Sequence, residues 1–457
     1  MKRKLIGPAV SDIIIGAVLT VLTIAAVYFE WMPTRYLEYK LYDAISNLKE
    51  RTFKSPIVIV AIDDESIANM GRWPWPRSYI ARMVDFLNRC EARVIGINIL
   101  YSEKDTNQGL TEVRDILKNI QNDTRLLHNV QVNSIYTSLK ETENRLDNDA
   151  ILGTSIGESK KVILPLVFIM GNSNVGKESE VPDYLKRNSV PVATHEGSMA
   201  ARQIVPPIPD FAMKAMALGH VNVVPDGDGT VRSEPLVVSY EGRVYPSYGL
   251  QLSLKYLNYD MKDLSITKGV NFGDNYIATS DKGEMLISFS KSVPYFSFYD
   301  VVSNKAPPEV FKDKIVIIAE SAIRLGSLQV TPIGPDVPSW GIIANVADNI
   351  LAGDYIVRPA WAPSLEIGVI VLLGLFLTLI VPRLKIRISA IASLILLLVW
   401  IGAGTCILIN YGYWIKLVHP SLLILIGYIL VVTHRHFSYG RDKGAHRNKR
   451  ISFLRMA

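Results

Sequence analysis

Cysteine is nearly absent: two in 457 residues. Cys90 lies in the long middle region and Cys406 inside an apolar run near the end, so they cannot easily pair. A disulfide framework is thereby excluded, and an exported domain of this length must rely on its own core, as bacterial ones do. Charge is also sparse, at 20% against a hydrophobic share of 49%. There is no nucleophile motif, no nucleophile elbow and no metal-spaced histidine pair, so no catalytic residue, metal site or cofactor is expected. No basic patch is interleaved with aromatics, which argues against nucleic acid as a partner. Internal repeats and low-complexity tracts are missing. Between residues 30 and 361 there is no apolar run of membrane length.

Such runs crowd the two ends instead. They cover 13–29, 364–381, 388–409 and 417–433. A bilayer core of roughly 30 Å needs about 20 helical residues at 1.5 Å each, so all four read as transmembrane helices rather than buried core helices. Lysine and arginine set the orientation. Lys2, Arg3 and Lys4 precede the first run; Arg383, Lys385 and Arg387 separate the second and third; five Arg and two Lys against one Asp follow Thr433. These three segments carry +3, +3 and +6, whereas the chain as a whole carries +6. The remainder is therefore mildly acidic. The expected plan is a cytoplasmic N-terminus (1–12), a span (13–29), an extracytoplasmic domain (30–361), three spans (362–433) and a basic cytoplasmic linker (434–457). Tyr28, Phe29, Trp31, Trp361, Tyr411, Tyr413 and Trp414 fall at the outer boundary, where amphipathic rings prefer to sit. The basic tail should attract anionic lipid. Thr23-Ile-Ala25 is a weak small-x-small cleavage site, but an uncleaved anchor fits the first run better.

Within the outer domain, apolar spacing predicts an amphipathic helix over 34–50 that continues the first span. Ile57–Ile62 is an unbroken β-branched run, suited to a strand buried on both faces. Asp63 and Asp64 stand at its carboxyl end. Helix Ser78–Arg89 and strand Arg93–Leu100 complete a βαβ unit, which implies parallel pairing. Residues 107–149 read as a helical insertion ahead of a strand over Lys161–Phe168. PDGDG predicts a turn between strands 220–224 and 231–240, and Glu241-Gly242 another. A helix over Ser247–Tyr256, a strand at 285–289, a short helix at 298–303, the strand Ile315–Ala319 and a helix over Asn345–Leu351 follow. The fold class is thus an α/β extracytoplasmic domain with a mixed sheet, plus an all-α membrane part.

The order of DDESIANMGRWPWPR after a strand, GHVNVVPDGDGTVR, FKDKIVII, the Thr331-Pro332 pair and LAGDYIVRP before three spans resembles CHASE sensors of the second type. The name abbreviates cyclase/histidine-kinase-associated sensory extracellular domain. The resemblance covers roughly residues 35–360 together with the three-span block. It implies a sensor for an extracytoplasmic ligand or protein, a homodimer, and a cytoplasmic output domain, with a class III adenylate cyclase expected first. In similar cyclases an Arg-rich stretch with Phe leads into the catalytic domain. HRNKRISFLRMA has that character, with Ile451, Leu454 and Met456 at apolar positions, so a cyclase domain is expected to follow these residues. The alternatives are the sensor of a histidine or serine/threonine kinase, and a non-catalytic receptor or assembly subunit. Three positions depart from the family pattern: Asn98 and Ser327 stand where aspartate is usual, and Ile343 where histidine is.

The candidate ligand residues are Asp63, Asp64, Arg72, Trp73, Trp75, Arg77 and Asn98. Open α/β sheets place ligand crevices beyond the carboxyl ends of their strands, and paired carboxylates there suit an amine, a cation or a metal. The competing reading makes one of them a turn cap with Ser66 and leaves the other solvated. In WPWPR the prolines fix φ and pre-set a helix start. Its tryptophans either anchor a rigid corner or offer a stacking face, with Arg72 and Arg77 as anion partners. Asp226 and Asp228 resemble half a calcium loop, but Val237 occupies the place of the bidentate acid, so a turn is expected. In the membrane part, Glu366, Lys416 and His419 are the candidate coupling residues, with a Glu366–Lys416 contact expected to fix span packing.

Overall fold

The run Ile57–Ile62 is buried along its whole length, and its alternate side chains enter different cores. Val58, Val60 and Ile62 join one cluster with Ile80, Met83 and Leu87. Ile57, Ile59 and Ala61 join another with Tyr248, Leu252 and Ile343. A strand apolar on both faces must sit inside a sheet covered on both sides, and that is the architecture found. The computed structural model describes residues 10–122, 130–171, 181–191, 198–322 and 326–436. The Lys2–Lys4 segment and the basic stretch beyond His436 lie outside the described residues.

The described strands are β1 (Ile57–Ile62), β2 (Val94–Asn98), β3 (Val162–Met170), β4 (Val190–Pro191), β5 (Met199–Val205), β6 (Ala217–His220), β7 (Ser233–Pro235), β8 (Val237–Tyr240) and β9 (Arg243–Pro246). They continue with β10 (Leu264–Ile266), β11 (Gly269–Phe272), β12 (Asn275–Ala278), β13 (Glu284–Leu286), β14 (Tyr295–Ser297), β15 (Ile315–Glu320), β16 (Leu328–Thr331) and β17 (Gly334–Pro338). The main sheet runs β14-β1-β15-β2-β3-β5-β8-β9-β4, with β6 also pairing β3. From β14 to β3, and from β3 to β6, every pairing is parallel; β3–β5, β8–β9 and β9–β4 are antiparallel. The sheet is therefore mixed, as expected. Helices Arg77–Arg89 and Asn148–Ser159 cover one face and helices Tyr248–Tyr256 and Ser339–Ala352 the other.

Four local expectations are corrected. β1 and β2 are parallel but not neighbours, because β15 lies between them and pairs with both. PDGDG does not close a hairpin: β6 ends at His220 and pairs β3, whereas β7 pairs β13. The cause is Arg232, which is 1% exposed. Asp226 and Asp228 both turn inward on its guanidinium, each at 2.8 Å, and this turn holds an arginine rather than two strands. The strand expected at 285–289 stops at Leu286 because its next backbone groups are taken by side chains. Asn349 pairs the Ser288 N–H and C=O at 2.7 and 3.0 Å, and Asn345 accepts from the Ser290 N–H at 2.7 Å. These asparagines belong to helix Ser339–Ala352, longer than the 345–351 expected. Asp348 on the same helix is fully buried. It meets Arg51 at 2.5 Å and accepts the Ser55 and Lys54 N–H groups at 2.8 and 3.2 Å.

The α/β unit covers Arg51–Tyr355. Helix Met32–Leu48 groups instead with the apolar helices, in a second unit made of residues 1–50 and 356–457. Four helices there, Ser11–Tyr28, Ala362–Arg383, Ile386–Tyr411 and Val418–His436, are long and apolar enough to cross a membrane. Small residues let two of them approach closely: a Cβ on Gly16 would strike Thr378, and one on Gly374 would strike Thr20.

Candidate functional site

The two adjacent aspartates separate at once. Asp63 caps helix Asp64–Met70: its Oδ1 accepts the Ser66 N–H at 2.8 Å, the Ser66 hydroxyl at 2.6 Å and the Ser297 hydroxyl at 2.9 Å. Asp64 starts that helix and is exposed. All three donors fall on Oδ1, so this oxygen serves the helix cap.

The elbow divides in a similar way. Trp75 is 7% exposed, donates its indole N–H to the Gly71 carbonyl at 2.7 Å and packs on Tyr79 and Phe298. It anchors the corner between helices. Arg77 meets Asp149 at 2.5 Å and lies over the Tyr101 and Phe211 rings, so its charge is engaged within the fold. Arg72 is exposed. Trp73 is half-buried, stands edge-on to Trp75 at 5.2 Å, and its side chain is bonded to Glu320.

Glu320 leads to the site. It is the last residue of β15, opposite Ile62 of β1. Asn98, at the end of β2, pairs with Ala319 one position earlier. Both open into a cavity of about 400 Å³ beyond the carboxyl ends of the parallel strands. Pro165 and Val167 of β3 and Val221–Val223 after β6 form one wall; Ser339, Trp340 and Ile343 from the start of helix Ser339–Ala352 form another, and Ser327, Gln329 and Glu234 complete the lining. Glu320 and Leu100 also line a second hollow of about 720 Å³ at the WPWPR elbow.

The electrostatics of the first cavity are one-sided. Glu234 is 4% exposed, and its Oε1 has no hydrogen-bond partner. Burial pushes its carboxyl up to about 8, the Ser247 hydroxyl opposing only weakly. Burial also raises Glu320, against the bond from Trp73. The Trp340 indole N–H lacks a partner too. His220, next in the chain to Val221, is buried and pushed down to about 3, so it stays neutral. Among the described residues no lysine or arginine lines the cavity. No group of three or more His, Cys, Asp or Glu side chains able to hold a metal occurs among them either. Of the residues picked from sequence, only Asn98 lines this space. Glu320 and Glu234 were missed, although a glutamate ending the apolar strand IVIIA was a visible signal for the first.

A family model described as the CHASE2 domain matches residues 17–381. The chain belongs to the CHASE2 family. CHASE2 domains are extracellular sensor modules of signalling proteins. No curated protein matches the chain, and no solved structure does. Asn98, Ser327 and Ile343 all line the first cavity.

In the membrane unit, Glu366 forms a two-point ion pair with Arg358 at 2.9 and 3.0 Å. It also accepts the backbone N–H of Lys416 at 2.7 Å. The ionic partner is thus Arg358, and Lys416 contributes its main chain. Glu38, unremarked in the sequence, accepts the N–H groups of Leu417 and Val418 at 3.0 and 2.8 Å. Those donors lie at the start of the fourth apolar helix, where free N–H groups favour an anion. His419 lines an apolar groove with Leu19, Trp31 and Leu422.

Proposed function

We propose that this chain is the receptor part of a transmembrane signalling protein, with its stimulus received in the cavity lined by Asn98, Glu320, Glu234 and Trp340. One observation carries this reading. The buried, poorly compensated Glu234 and the half-buried Glu320 line a single space at the carboxyl ends of parallel strands, where α/β sheets bind ligands. A ligand acts only through its differential affinity for two states of the domain. Helix Met32–Leu48 follows the first span and helix Ser339–Ala352 precedes the second, so either can carry a shift toward the bilayer. Glu38 gives the first of these a direct hold on the fourth span.

The basic segments support an arrangement with both termini in the cytoplasm and the α/β unit outside, in the cytoplasmic membrane of a bacterium. The Arg-rich tail favours a class III adenylate cyclase as output, working as a homodimer, with anionic lipid at the tail. A histidine or serine/threonine kinase fits the same plan, as does a non-catalytic receptor. The test joins the chain to a cyclase domain and follows cyclic nucleotide in cells exposed to growth-medium fractions. Filling the cavity with Ser327→Trp should abolish the response while leaving the protein in the membrane. An unchanged response would remove the cavity as the stimulus site.

A further inference from the structure

The cavity also specifies the chemistry of what it receives, and this step rests on its being the stimulus site. Two carboxyl groups, Glu320 and Glu234, stand in its wall without a basic residue among the described lining. Anionic ligands such as carboxylates and phosphates find no counter-charge there. A bare metal ion does not fit either: the space is about 400 Å³ and most of its wall is apolar or amide, from Leu100, Val167, Val221 and Ile343 to Asn98 and Gln329. A space of that size with a few converging polar groups suits a small organic molecule.

Among the described residues, none in the lining carries positive charge. Glu234 is almost fully buried with one carboxyl oxygen unpartnered. Such a group is costly unless something supplies a donor or a counter-ion. Its neighbour in the wall, Trp340, has an unpartnered indole N–H. The ligand therefore brings N–H donors and positive charge at one end and an acceptor farther along. We propose that the cavity is a receptor site for a small primary amine, its ammonium taken by Glu320 and Glu234 and its apolar body resting on Leu100, Val167 and Ile343.

The experiment uses the full chain in lipid nanodiscs and measures binding by titration calorimetry. The probes are three amines, ethanolamine, agmatine and tyramine, each beside a neutral analogue in which hydroxyl replaces the amine, and a carboxylate analogue. At least one amine should bind saturably and at least tenfold tighter than its neutral and acidic analogues. Glu320→Gln and Glu234→Gln should each weaken that amine tenfold or more. Both keep the side-chain shape, and a thermal midpoint no lower than the parent's shows that the domain has not unfolded. A neutral or acidic probe that binds as tightly, and is lost in Ser327→Trp, overturns the amine assignment but keeps the cavity as a binding site. An amine that binds equally well to Ser327→Trp overturns both the assignment and the cavity reading. The assignment also fails if none of the amines binds.

Discussion

Asp348 and Glu234 are buried almost equally, at 0% and 4% exposure, and the fold treats them in opposite ways. Asp348 faces Arg51 and takes two backbone N–H groups besides. Glu234 has the Ser247 hydroxyl on one side, an unpartnered oxygen on the other, and no basic partner among the described residues. A compensated buried acid holds elements together, and an uncompensated one is a cost that the fold retains without structural return. That difference, more than depth of burial, separates scaffold from site in this molecule.

The largest expected effect lies on the compensated side. Asp348→Ala removes the nearer acid of the buried Arg51 guanidinium, leaving it Asp354 and the Ser288 carbonyl, and strips the acceptor from two backbone N–H groups. This should cost about 3–5 kcal/mol in chemical denaturation of the full chain. A loss below 1 kcal/mol would dissolve the contrast. Trp75→Ala, in the elbow core, should cost about 3–5 kcal/mol by the same measurement. Trp73→Ala should cost much less and instead raise the Glu320 pKa further, since it removes the bond that favours the charged form; a carboxyl titration would show this. Glu38→Gln replaces one acceptor of two backbone donors and should cost about 1–3 kcal/mol, read as a lower unfolding midpoint. Equal stability with lost signalling would make Glu38 a coupling residue alone. The smallest effect sharpens the membrane pairings. A double-mutant cycle of Lys416→Met with Glu366→Gln should be additive within about 0.5 kcal/mol, because the contact uses the Lys416 backbone. The Arg358–Glu366 cycle should show coupling.

Much of the scaffold was legible because it is local. Periodicity placed the four long apolar helices to within about three residues, and the strand Ile57–Ile62 and the helix expected at Ser78–Arg89 to within one. The insertion of β15 between β1 and β2 was not legible, since that pairing joins segments far apart along the chain. The site was legible only in part. Asn98 could be picked because it ends an apolar strand, and Asp63 was picked on the same ground. Only the fold shows that Ser66 and Ser297 both bond to one oxygen of Asp63. Glu234 looked like one more polar residue of a strand, and only the fold shows it 4% exposed.

The central claim is that the cavity wall carries a buried acid that the described residues compensate only weakly, and the ligand-free chain tests it directly. Glu234 is raised from an ordinary 4.5 to about 8. Between these values the folded state keeps a proton that the unfolded state releases, so stability falls as pH rises, by at most about 1.4 kcal/mol per unit. Above pH 8 the contribution levels off. Unfolding free energy measured from pH 5 to pH 8 should therefore decline more steeply in the parent protein than in Glu234→Gln, and the two curves should converge toward pH 5. Curves that run parallel across this window would contradict the account.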